Sequence, residues 1–385
     1  MSRPRVEIAD AIARFAADFY KQYKPNGFQQ KTLRALSMCR TAQLGGHKEQ
    51  CDCCKKTRIS YNSCRNRHCP KCQGSKQALW IDDLKKIILP AKHYHAVFTV
   101  PHELNAIAMT DSRWFYNLAF EKIWQTLQSF GYTHHGVESG AVCILHTWGQ
   151  NLSFHPHVHC IVPAAGQTPK GKMKHIAHSG KFLFPITAVS KAFKGKMMES
   201  IKRRLVKNHL WEKYKILAND AWDKHWNVHC QPSMGKPERV IGYLGQYIHR
   251  VAISNHRLLS VDDNGVAFLH KDYAHGAKQK PIALSGVEFL RRFCQHILPM
   301  RFVKIRYYGI YSSRFRALQK KAENKITLKP LPETAQQRIL RITGFDAYQC
   351  PFCKKGKMHV VEELPRARSP TSNATNLIIE KNVFE

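Results

Sequence analysis

The sequence has few acidic residues for its length. Its 385 residues include 27 Asp and Glu against 61 Lys and Arg, which gives a formal net charge of +34. Folding does not require such an excess, because like charges repel one another and destabilise the compact state. The excess therefore predicts a polyanionic partner, and nucleic acid is the commonest one. An acidic membrane surface is the weaker alternative.

Long apolar segments are also missing. Residues 1–15 lack the apolar stretch and cleavage site of a secretory signal. No run of about 20 residues is apolar enough to span a bilayer. The longest stretch without Asp, Glu, Lys or Arg is 139–169, and it holds four His, two Gln and one Asn. We therefore expect a cytoplasmic protein with no membrane partner, whose 13 cysteines are thiols or metal ligands rather than disulfides.

Hydrophobic periodicity predicts helices and strands in irregular alternation. Helices are expected over 1–30, 75–89, 111–130, 187–208, 237–250 and 285–297, and strands over 94–101, 141–148, 157–163 and 227–233. A further hairpin is expected over 257–270, built on an Asn264–Gly265 turn. Because there is no regular βαβ rhythm, the pattern favours an α+β fold with a mainly antiparallel sheet.

The N-terminal part of the chain is rich in cysteine. Cys51-x₂-Cys54 is followed after 14 residues by Cys69-x₂-Cys72. Each CxxC pair can supply two thiolate ligands from one short turn, and the loop between the pairs can bring the two turns together around one metal ion. The four cysteines therefore predict a structural, tetrahedral Zn²⁺ site. Four further residues could complete a second, interleaved zinc site, which we leave open: Cys39, His47, Cys64 and His68.

One more CxxC pair lies near the C-terminus. Cys350 and Cys353 are separated by Pro and Phe. The pair is either half of a metal site that takes two ligands from elsewhere or a simple turn.

The segment His155-Pro156-His157-Val158-His159 predicts a second kind of metal site. On a strand, residues i and i+2 point to the same face, so His157 and His159 project together. The strands predicted over 141–148 and 157–163 are joined by a short polar connection and suggest a hairpin, across which His146 can supply a third imidazole. Three neutral ligands leave positions open for substrate oxygens and water, which suits activation of a phosphodiester. A surface strand that is merely rich in histidine is the alternative.

Two tyrosines lie four residues apart on the helix predicted over 237–250. Tyr243 and Tyr247 stack on one side of that helix, and Arg250 lies on the same flank, where it could meet a phosphate. By themselves, two such tyrosines are usually packing residues. A phenol has a pKa of about 10 and is a poor nucleophile unless it is activated.

The longer strings carry a resemblance to a known family. His157-Val158-His159 followed by Tyr243-x₃-Tyr247 resembles the HUH endonucleases. Five strings resemble more narrowly the rolling-circle transposases of bacterial insertion sequences of the IS ninety-one type: CRTAQLGGH (39–47), YNSCRNRHCPKCQ (61–73), FTVPHELN (98–105), LHTWGQNLSFHPHVH (145–159) and YLGQYIHRVAISNHRL (243–258).

The resemblance implies a function and a site. It implies an HUH-type antiparallel sheet with flanking helices, preceded by a small zinc-binding domain that recognises DNA. His146, His157 and His159 would bind Mg²⁺ or Mn²⁺. Tyr243 and Tyr247 would attack single-stranded DNA at the ends of the element and leave a 5′-phosphotyrosine. Rejoining would then need no ATP, which agrees with the absence of a GxxxxGK[ST] loop.

This reading divides the chain into five parts. They are an N-terminal helix (1–30), a zinc-binding DNA-recognition domain (31–85), a catalytic domain (88–330), a C-terminal extension with the CxxC pair (331–363) and a tail expected to be disordered (364–385). The partners would be single-stranded and hairpin or duplex DNA of the element ends and target, in the bacterial nucleoid. Self-association is left open.

Basic and aromatic residues are interleaved in 301–316, which suits contact with single-stranded DNA. Arg306 and Tyr307 are the candidate contacts there, although an ordinary strand with basic flanks explains the pattern equally well. Three other functions remain open: a replication initiator or relaxase with the same chemistry, a zinc-ribbon DNA-binding protein without catalysis, and a transposase that holds its metal with carboxylates.

Overall fold

The structure is a computed structural model that describes residues 5–176, 183–231, 241–242, 245, 251–272, 276, 278–322 and 333–367. The helices are α1 (Ile8–Gln22), α2 (Gly27–Ser37), α3 (Gln73–Lys85), α4 (Asn105–Thr110), α5 (Ser112–His135), α6 (Ile186–Lys207), α7 (Trp211–Asp223), α8 (Gly286–Gln295), α9 (Ser313–Ala322) and α10 (Ala335–Thr343). None of these helices combines the length and the apolar character that a membrane crossing needs.

Within the described residues, thirteen strands form three sheets and a small hairpin. They are β1 (Gly46–Cys51), β2 (Thr57–Tyr61), β3 (His93–Thr99), β4 (Gly140–Trp148), β5 (Phe154–Pro163), β6 (Ala165–Gln167), β7 (Met173–His175), β8 (Val228–Gln231), β9 (Leu258–Asp262), β10 (Gly265–Asp272), β11 (Lys278–Leu284), β12 (Ile305–Gly309) and β13 (Met358–Leu364). The mixture of helices with antiparallel sheets confirms the predicted α+β class.

The central sheet has five strands in the order β12-β4-β5-β3-β8, and every neighbouring pair is antiparallel. The predicted hairpin of β4 and β5 lies at its middle. Both strands are almost continuously buried, because helices cover the sheet on both sides. This double burial explains why the segment carries no charged side chain.

The two faces of the central sheet have different cores. The back face holds the larger one, in which α5 and α6 pack on alternate residues of the strands, including Cys143, Leu145 and Val158. The front face holds a smaller cluster, in which Leu84 of α3 packs on Val142 and Ile144. Because side chains alternate along a strand, the even-numbered residues of β4, His146 among them, point to this front face.

Local signals set the ends of the longest helix. Asp111 caps α5, since its carboxylate accepts a hydrogen bond of 3.0 Å from the backbone N–H of Trp114. The helix ends at Gly136, whose φ of 64° is the left-handed conformation that glycine adopts without strain. Between these ends, α5 buries a stripe of apolar residues that includes Phe115, Ile123 and Leu127.

A second core joins the N-terminal helices to the middle of the chain. Ile8 and Ile12 of α1 pack with Phe268 of β10 and Phe289 of α8. The predicted hairpin is present as β9 and β10, and β11 adds a third strand to it. The spacing of the strands puts Asp263 and Asn264 at the turn, one position before the predicted pair.

The third sheet combines the two ends of the chain. Its order is β13-β1-β2, so the strand that follows Cys350 and Cys353 pairs with β1 of the cysteine-rich module. The pairing of β13 with β1 was not predicted from the sequence. Helix α2, helix α7 and strand β11 were also not predicted. Residues 368–385, most of the tail expected to be disordered, lie outside the described residues.

Substitution of Gly309 tests the close approach of the end of β12 to the start of β4. Its φ is +54°, and a Cβ there would lie 2.0 Å from the carbonyl oxygen of Ser139. We therefore expect Gly309→Ala to lower the free energy of unfolding by at least about 2 kcal/mol, measured by denaturant titration. Gly195 of α6 has open space around it, so Gly195→Ala should stabilise by up to about 1 kcal/mol. Equal midpoints for Gly309→Ala and the parent chain would contradict this packing.

Candidate active site and metal centres

Three histidines meet on the front face of the central sheet. His146 of β4 pairs directly with His157 of β5, and His159 follows on the same face two residues later. One ligand atom from each side chain lies within 4.8 Å of the other two. Nitrogens about 2.1 Å from a common ion lie about 3 Å apart when adjacent. The three imidazoles therefore fit one metal ion after a small inward movement.

Hydrogen bonds orient the imidazoles. The Nδ1 of His157 lies 2.7 Å from the carbonyl oxygen of His155, an acceptor, so Nδ1 carries the proton and the lone pair is on Nε2. The Nδ1 of His159 lies 2.8 Å from the Nε2 of His95 on β3, and the two rings stack. The ring of His146 stacks on Trp148 with centroids 4.6 Å apart. Such outer contacts fix the ring orientation that a metal requires.

Burial keeps the imidazole of His157 neutral. It lowers the pKa of His157 to about 4, because the charged form loses its hydration. His146 and His159 are also buried, at 3% and 6% exposed. Neutral imidazole is the form that binds a metal, so His157 is in its ligating form at pH 7. His95 and Trp148 were not singled out from the sequence, although His95 lies on the strand that was predicted over 94–101.

The predicted nucleophiles Tyr243 and Tyr247 and the predicted phosphate contact Arg250 lie outside the described residues. Their neighbours Ile241 and Gly245 are described and helical. Ile241 is buried with the front-face residues of β4 and β5. The carbonyl oxygen of Gly245 accepts a hydrogen bond from Gln77 of α3. The chain on either side of Tyr243 is thus attached to the front face and to α3.

Two cationic side chains, those of Arg67 and Lys304, come together just before the start of β12. Arg67 donates to the carbonyl oxygen of Phe302. Burial and the charge of Arg67 lower the pKa of Lys304 to about 8. The backbone of Lys304 is linked to β4, since its carbonyl oxygen accepts a hydrogen bond of 2.9 Å from the N–H of Leu145, the residue before His146. Neither cation forms an ion pair with an acidic group within the described part of the chain.

His68 shares this environment. Burial lowers its pKa to about 3, and Lys304, Arg67 and His296 add to the effect. Its Nε2 is buried and has no hydrogen-bond partner among the residues that the structure describes. His68 was left open as a ligand of a second zinc site, and it belongs to neither cysteine cluster. A neutral nitrogen beside two partly buried cations is an arrangement suited to an anion.

The first cysteine cluster differs from the predicted one. Cys39, Cys64, Cys69 and Cys72 lie within 4.8 Å of one another. The Sγ atom of Cys72 is 3.5 Å from that of Cys39 and 3.7 Å from that of Cys64. Four sulfurs at 2.3 Å from zinc would be about 3.8 Å apart, so the cluster fits a tetrahedral Zn²⁺ ion. The two open candidates Cys39 and Cys64 thus join the predicted Cys69 and Cys72.

The predicted grouping of Cys51 and Cys54 with Cys69 and Cys72 is therefore wrong. Cys51 and Cys54 instead belong to a second cluster, with Cys350 and Cys353. Spacing within a CxxC pair fixes two ligands, but it does not decide which other pair the fold brings near. Here β13 pairs with β1 and carries the distant pair to Cys51.

The other predicted ligand of the open second site is not near a cluster. The Nε2 of His47 lies 3.3 Å from a carboxylate oxygen of Glu49 on the same strand. Cys53 is exposed and belongs to neither cluster.

The candidate DNA contacts on β12 are packed within the protein. The guanidinium of Arg306 lies over the rings of Phe120 and Phe302, 4.3 and 5.3 Å from their centroids. The phenol oxygen of Tyr307 accepts a hydrogen bond of 2.9 Å from Trp80. Because neighbouring strand residues point to opposite faces, the two side chains do not form one surface. Contact of either residue with DNA stays a prediction.

A basic groove of about 1290 Å³ lies beside the first cysteine cluster. Its lining includes Arg40, Arg58, Arg65, Lys71, His256 and Arg366. Glu7 is its one acidic lining residue within the described chain, and it pairs with Lys71 at 2.6 Å. The groove therefore keeps a net positive charge, which suits a phosphate backbone.

Zinc content distinguishes the observed first cluster from the predicted one. We expect Cys39→Ser to lose one equivalent of zinc, as Cys72→Ser does, because both remove a ligand of one ion. Cys53→Ser is the matched control and should keep all its zinc. Metal analysis of the purified chains measures the difference. Full zinc content in Cys39→Ser would restore the grouping predicted from spacing.

Comparisons with known proteins agree with these features. A family model described as "Transposase zinc-binding domain" matches residues 11–100, which include the first cysteine cluster. A second model, described as "Putative transposase", matches residues 140–319, which include the three histidines. The zinc-binding domain and its cysteines support a structural zinc ion.

Two curated relatives cover most of the chain. "Putative transposase y4qJ" of Sinorhizobium fredii (strain NBRC 101917 / NGR234) is 37% identical over 388 residues, 94% of this chain and 96% of that protein. "Transposase for insertion sequence element IS801" of Pseudomonas savastanoi pv. phaseolicola is 27% identical over 294 residues, 74% of this chain and 70% of that protein. No solved structure matches. The chain belongs to the family of IS ninety-one type transposases with an N-terminal zinc-binding domain.

Proposed function

We propose that the protein nicks and rejoins single-stranded DNA at the ends of its insertion sequence through a covalent 5′-phosphotyrosine, and so drives rolling-circle transposition. Membership of a transposase family already implies DNA binding and strand transfer in general. The observation that carries the finer proposal is the meeting of His146, His157 and His159 on a sheet face. The chain on either side of Tyr243 is attached to the same face.

The reaction conserves the number of phosphodiester bonds. The phenol oxygen of Tyr243 or Tyr247 bonds to the phosphorus while the bond from phosphorus to the 3′ oxygen breaks. The proton of the phenol ends on the leaving oxygen, which becomes a free 3′-OH. A 3′-OH of another strand then attacks the phosphotyrosine and releases the phenol. Because the bond energy is kept, no nucleotide cofactor is required.

The three histidines would hold a divalent cation, which polarises the phosphate and stabilises the charge that develops on its oxygens. The donor set favours Mn²⁺ over Mg²⁺, because imidazole nitrogen is a softer ligand than the oxygens that Mg²⁺ prefers. Neutral imidazoles leave the charge of the cation undiminished. His157 is held in its binding tautomer by the carbonyl of His155, so little reorganisation accompanies binding.

Arg67 and Lys304 hold a neighbouring phosphate of the same strand. They lie just before the start of β12, the strand that pairs with β4, with no acidic partner within the described part of the chain. A partly buried cation without a counter-ion is costly, and a phosphate group would relieve that cost. His68 supplies a further polar atom at the same place. The single DNA strand would thus run from the zinc-binding domain (31–85) to the three histidines.

Covalent adduct formation tests the chemistry. Purified protein with Mn²⁺ and a labelled single-stranded element end should form an adduct that survives boiling in SDS. We expect Tyr243→Phe with Tyr247→Phe together to abolish it, because both phenols are lost. We expect His157→Ala to reduce it by at least about 100-fold, because a metal ligand is lost.

Two variants control for nonspecific damage. Tyr132→Phe removes an exposed phenol of α5, and His175→Ala removes an exposed imidazole of β7. Both should form adduct at the rate of the parent chain. Adduct from the double tyrosine variant would overturn the assignment of the nucleophiles. If no substrate gives an adduct while zinc-dependent DNA binding persists, the protein is a binding module without this chemistry.

Salt dependence tests the contact of Lys304 with phosphate. Lys304→Met keeps the length of the side chain and removes its charge. We expect weaker binding of single-stranded DNA, and a plot of log K against log salt that is shallower by about 0.7, the value of one phosphate contact. Lys191 is exposed on α6, which covers the back face, so Lys191→Met is the matched control. An unchanged slope for Lys304→Met would remove this residue from the DNA path.

A further inference from the structure

Two CxxC pairs from opposite ends of the chain meet at the third sheet. Cys51 and Cys54 end and follow β1, and Cys350 and Cys353 precede β13. We propose that these four cysteines bind a second structural zinc ion, which fastens the C-terminal segment to the N-terminal module. The matched family models end at residue 319, so neither of them includes Cys350 or Cys353.

The sulfur positions fit a tetrahedral ion. The Sγ atoms of Cys51 and Cys353 are 3.7 Å apart, and those of Cys54 and Cys350 are also 3.7 Å apart. Both values match the edge of about 3.8 Å expected for four sulfurs around zinc. Cys51 and Cys350 are 1% and 0% exposed, so the ion would be shielded from solvent as structural zinc ions are.

The two pairs have the same local geometry. Lys55 and Lys354, each directly after the second cysteine of its pair, both have a φ of 58°. Their N–H groups donate to the carbonyl oxygens of Cys51 and Cys350, at 3.2 and 3.0 Å. A left-handed residue is costly for lysine. Its occurrence at equivalent places in two unrelated segments indicates that both turns are shaped for one purpose.

Backbone N–H groups point at the sulfurs. The N–H of Cys54 donates to the Sγ of Cys51, and that of Gly356 donates to the Sγ of Cys353, each at 3.4 Å. A Cβ on Gly356 would lie 2.6 Å from the Sγ of Cys51, so only glycine allows the backbone to come this close. Such donors stabilise the negative charge of thiolates.

The surrounding charge complements the site. Four thiolates around Zn²⁺ carry a net charge of −2, and the two turns present one exposed acid, Asp52, against five exposed lysines: Lys55, Lys56, Lys354, Lys355 and Lys357. Four protonated thiols would carry no charge for these lysines to balance. The charge distribution therefore favours bound metal over a cluster of protonated cysteines.

Other contacts hold the C-terminal segment on the same side of the molecule. Arg338 of α10 pairs with Asp82 of α3 at 2.7 Å, and β13 pairs with β1 along its length. Arg366, just after β13, lines the basic groove. The second zinc ion would thus fix the strand that carries Arg366 to the groove, which no contact local in sequence can do.

Zinc stoichiometry of the full chain tests the proposal, independently of any DNA chemistry. We expect two zinc ions per chain in protein purified under reducing conditions, and one in Cys350→Ser and in Cys353→Ser. Cys53→Ser removes an exposed thiol between two ligands and should keep both ions. Replacing zinc with Co²⁺ gives a second measurement, since Cys353→Ser should lose about half of the sulfur-to-cobalt absorption.

A conservative variant separates loss of a ligand from misfolding. Cys353→His retains a ligand that zinc accepts, so it should keep two ions if coordination is what Cys353 supplies. Two zinc ions in Cys353→Ser would overturn the proposal. A parent chain with a single ion that Cys39→Ser removes would overturn it too. Neither result bears on the adduct assay, which would still stand or fall by itself.

Discussion

The antiparallel pairing of β4 with β5 is the interaction on which the candidate site depends. Its register sets His146 opposite His157 and Ile144 opposite His159. A slip of one residue would turn every side chain of one strand to the other face. The large core on the back face prevents such a slip, because it would place His146 or His157 among the aromatic residues of α5. Hydrophobic burial on one face thus fixes polar geometry on the other.

The same burial decides the chemistry that the front face can offer. A chain with a formal net charge of +34 attracts polyanions, yet burial holds the pKa of His157 low, so this imidazole is neutral. A cationic imidazole at this position would repel a metal ion instead of binding it. The proposed DNA contacts and the proposed metal ligands are therefore different residues. The basic groove, Arg67 and Lys304 would supply affinity for DNA in the proposed function, while the three histidines of the sheet would hold the metal.

Much of this site could be predicted because its signals are local. The alternation of His157 and His159 and the short connection to His146 follow from strand periodicity alone, and the structure places the three together. The clusters of cysteine were harder, because a CxxC pair specifies half a site. Cys51 lies beside Cys353, about 300 residues away, because β13 pairs with β1. No pattern in the sequence predicted that pairing. The cations of Lys304 and Arg67 were missed for the same reason, since their neighbourhood exists only in the fold.

Helix α3 connects these parts mechanically. It begins directly after Cys72, a member of the first cluster, and reaches the front-face core at Leu84. On the way, Gln77 donates to the carbonyl of Gly245, and Asp82 pairs with Arg338 of the C-terminal segment. A change in the first cysteine cluster that moved the start of α3 would therefore also move Gln77 and its contact with Gly245, because α3 is one continuous helix of 13 residues. The cysteine-rich part of the chain thus supports α3, and α3 in turn contacts Gly245, two residues after the predicted nucleophile Tyr243.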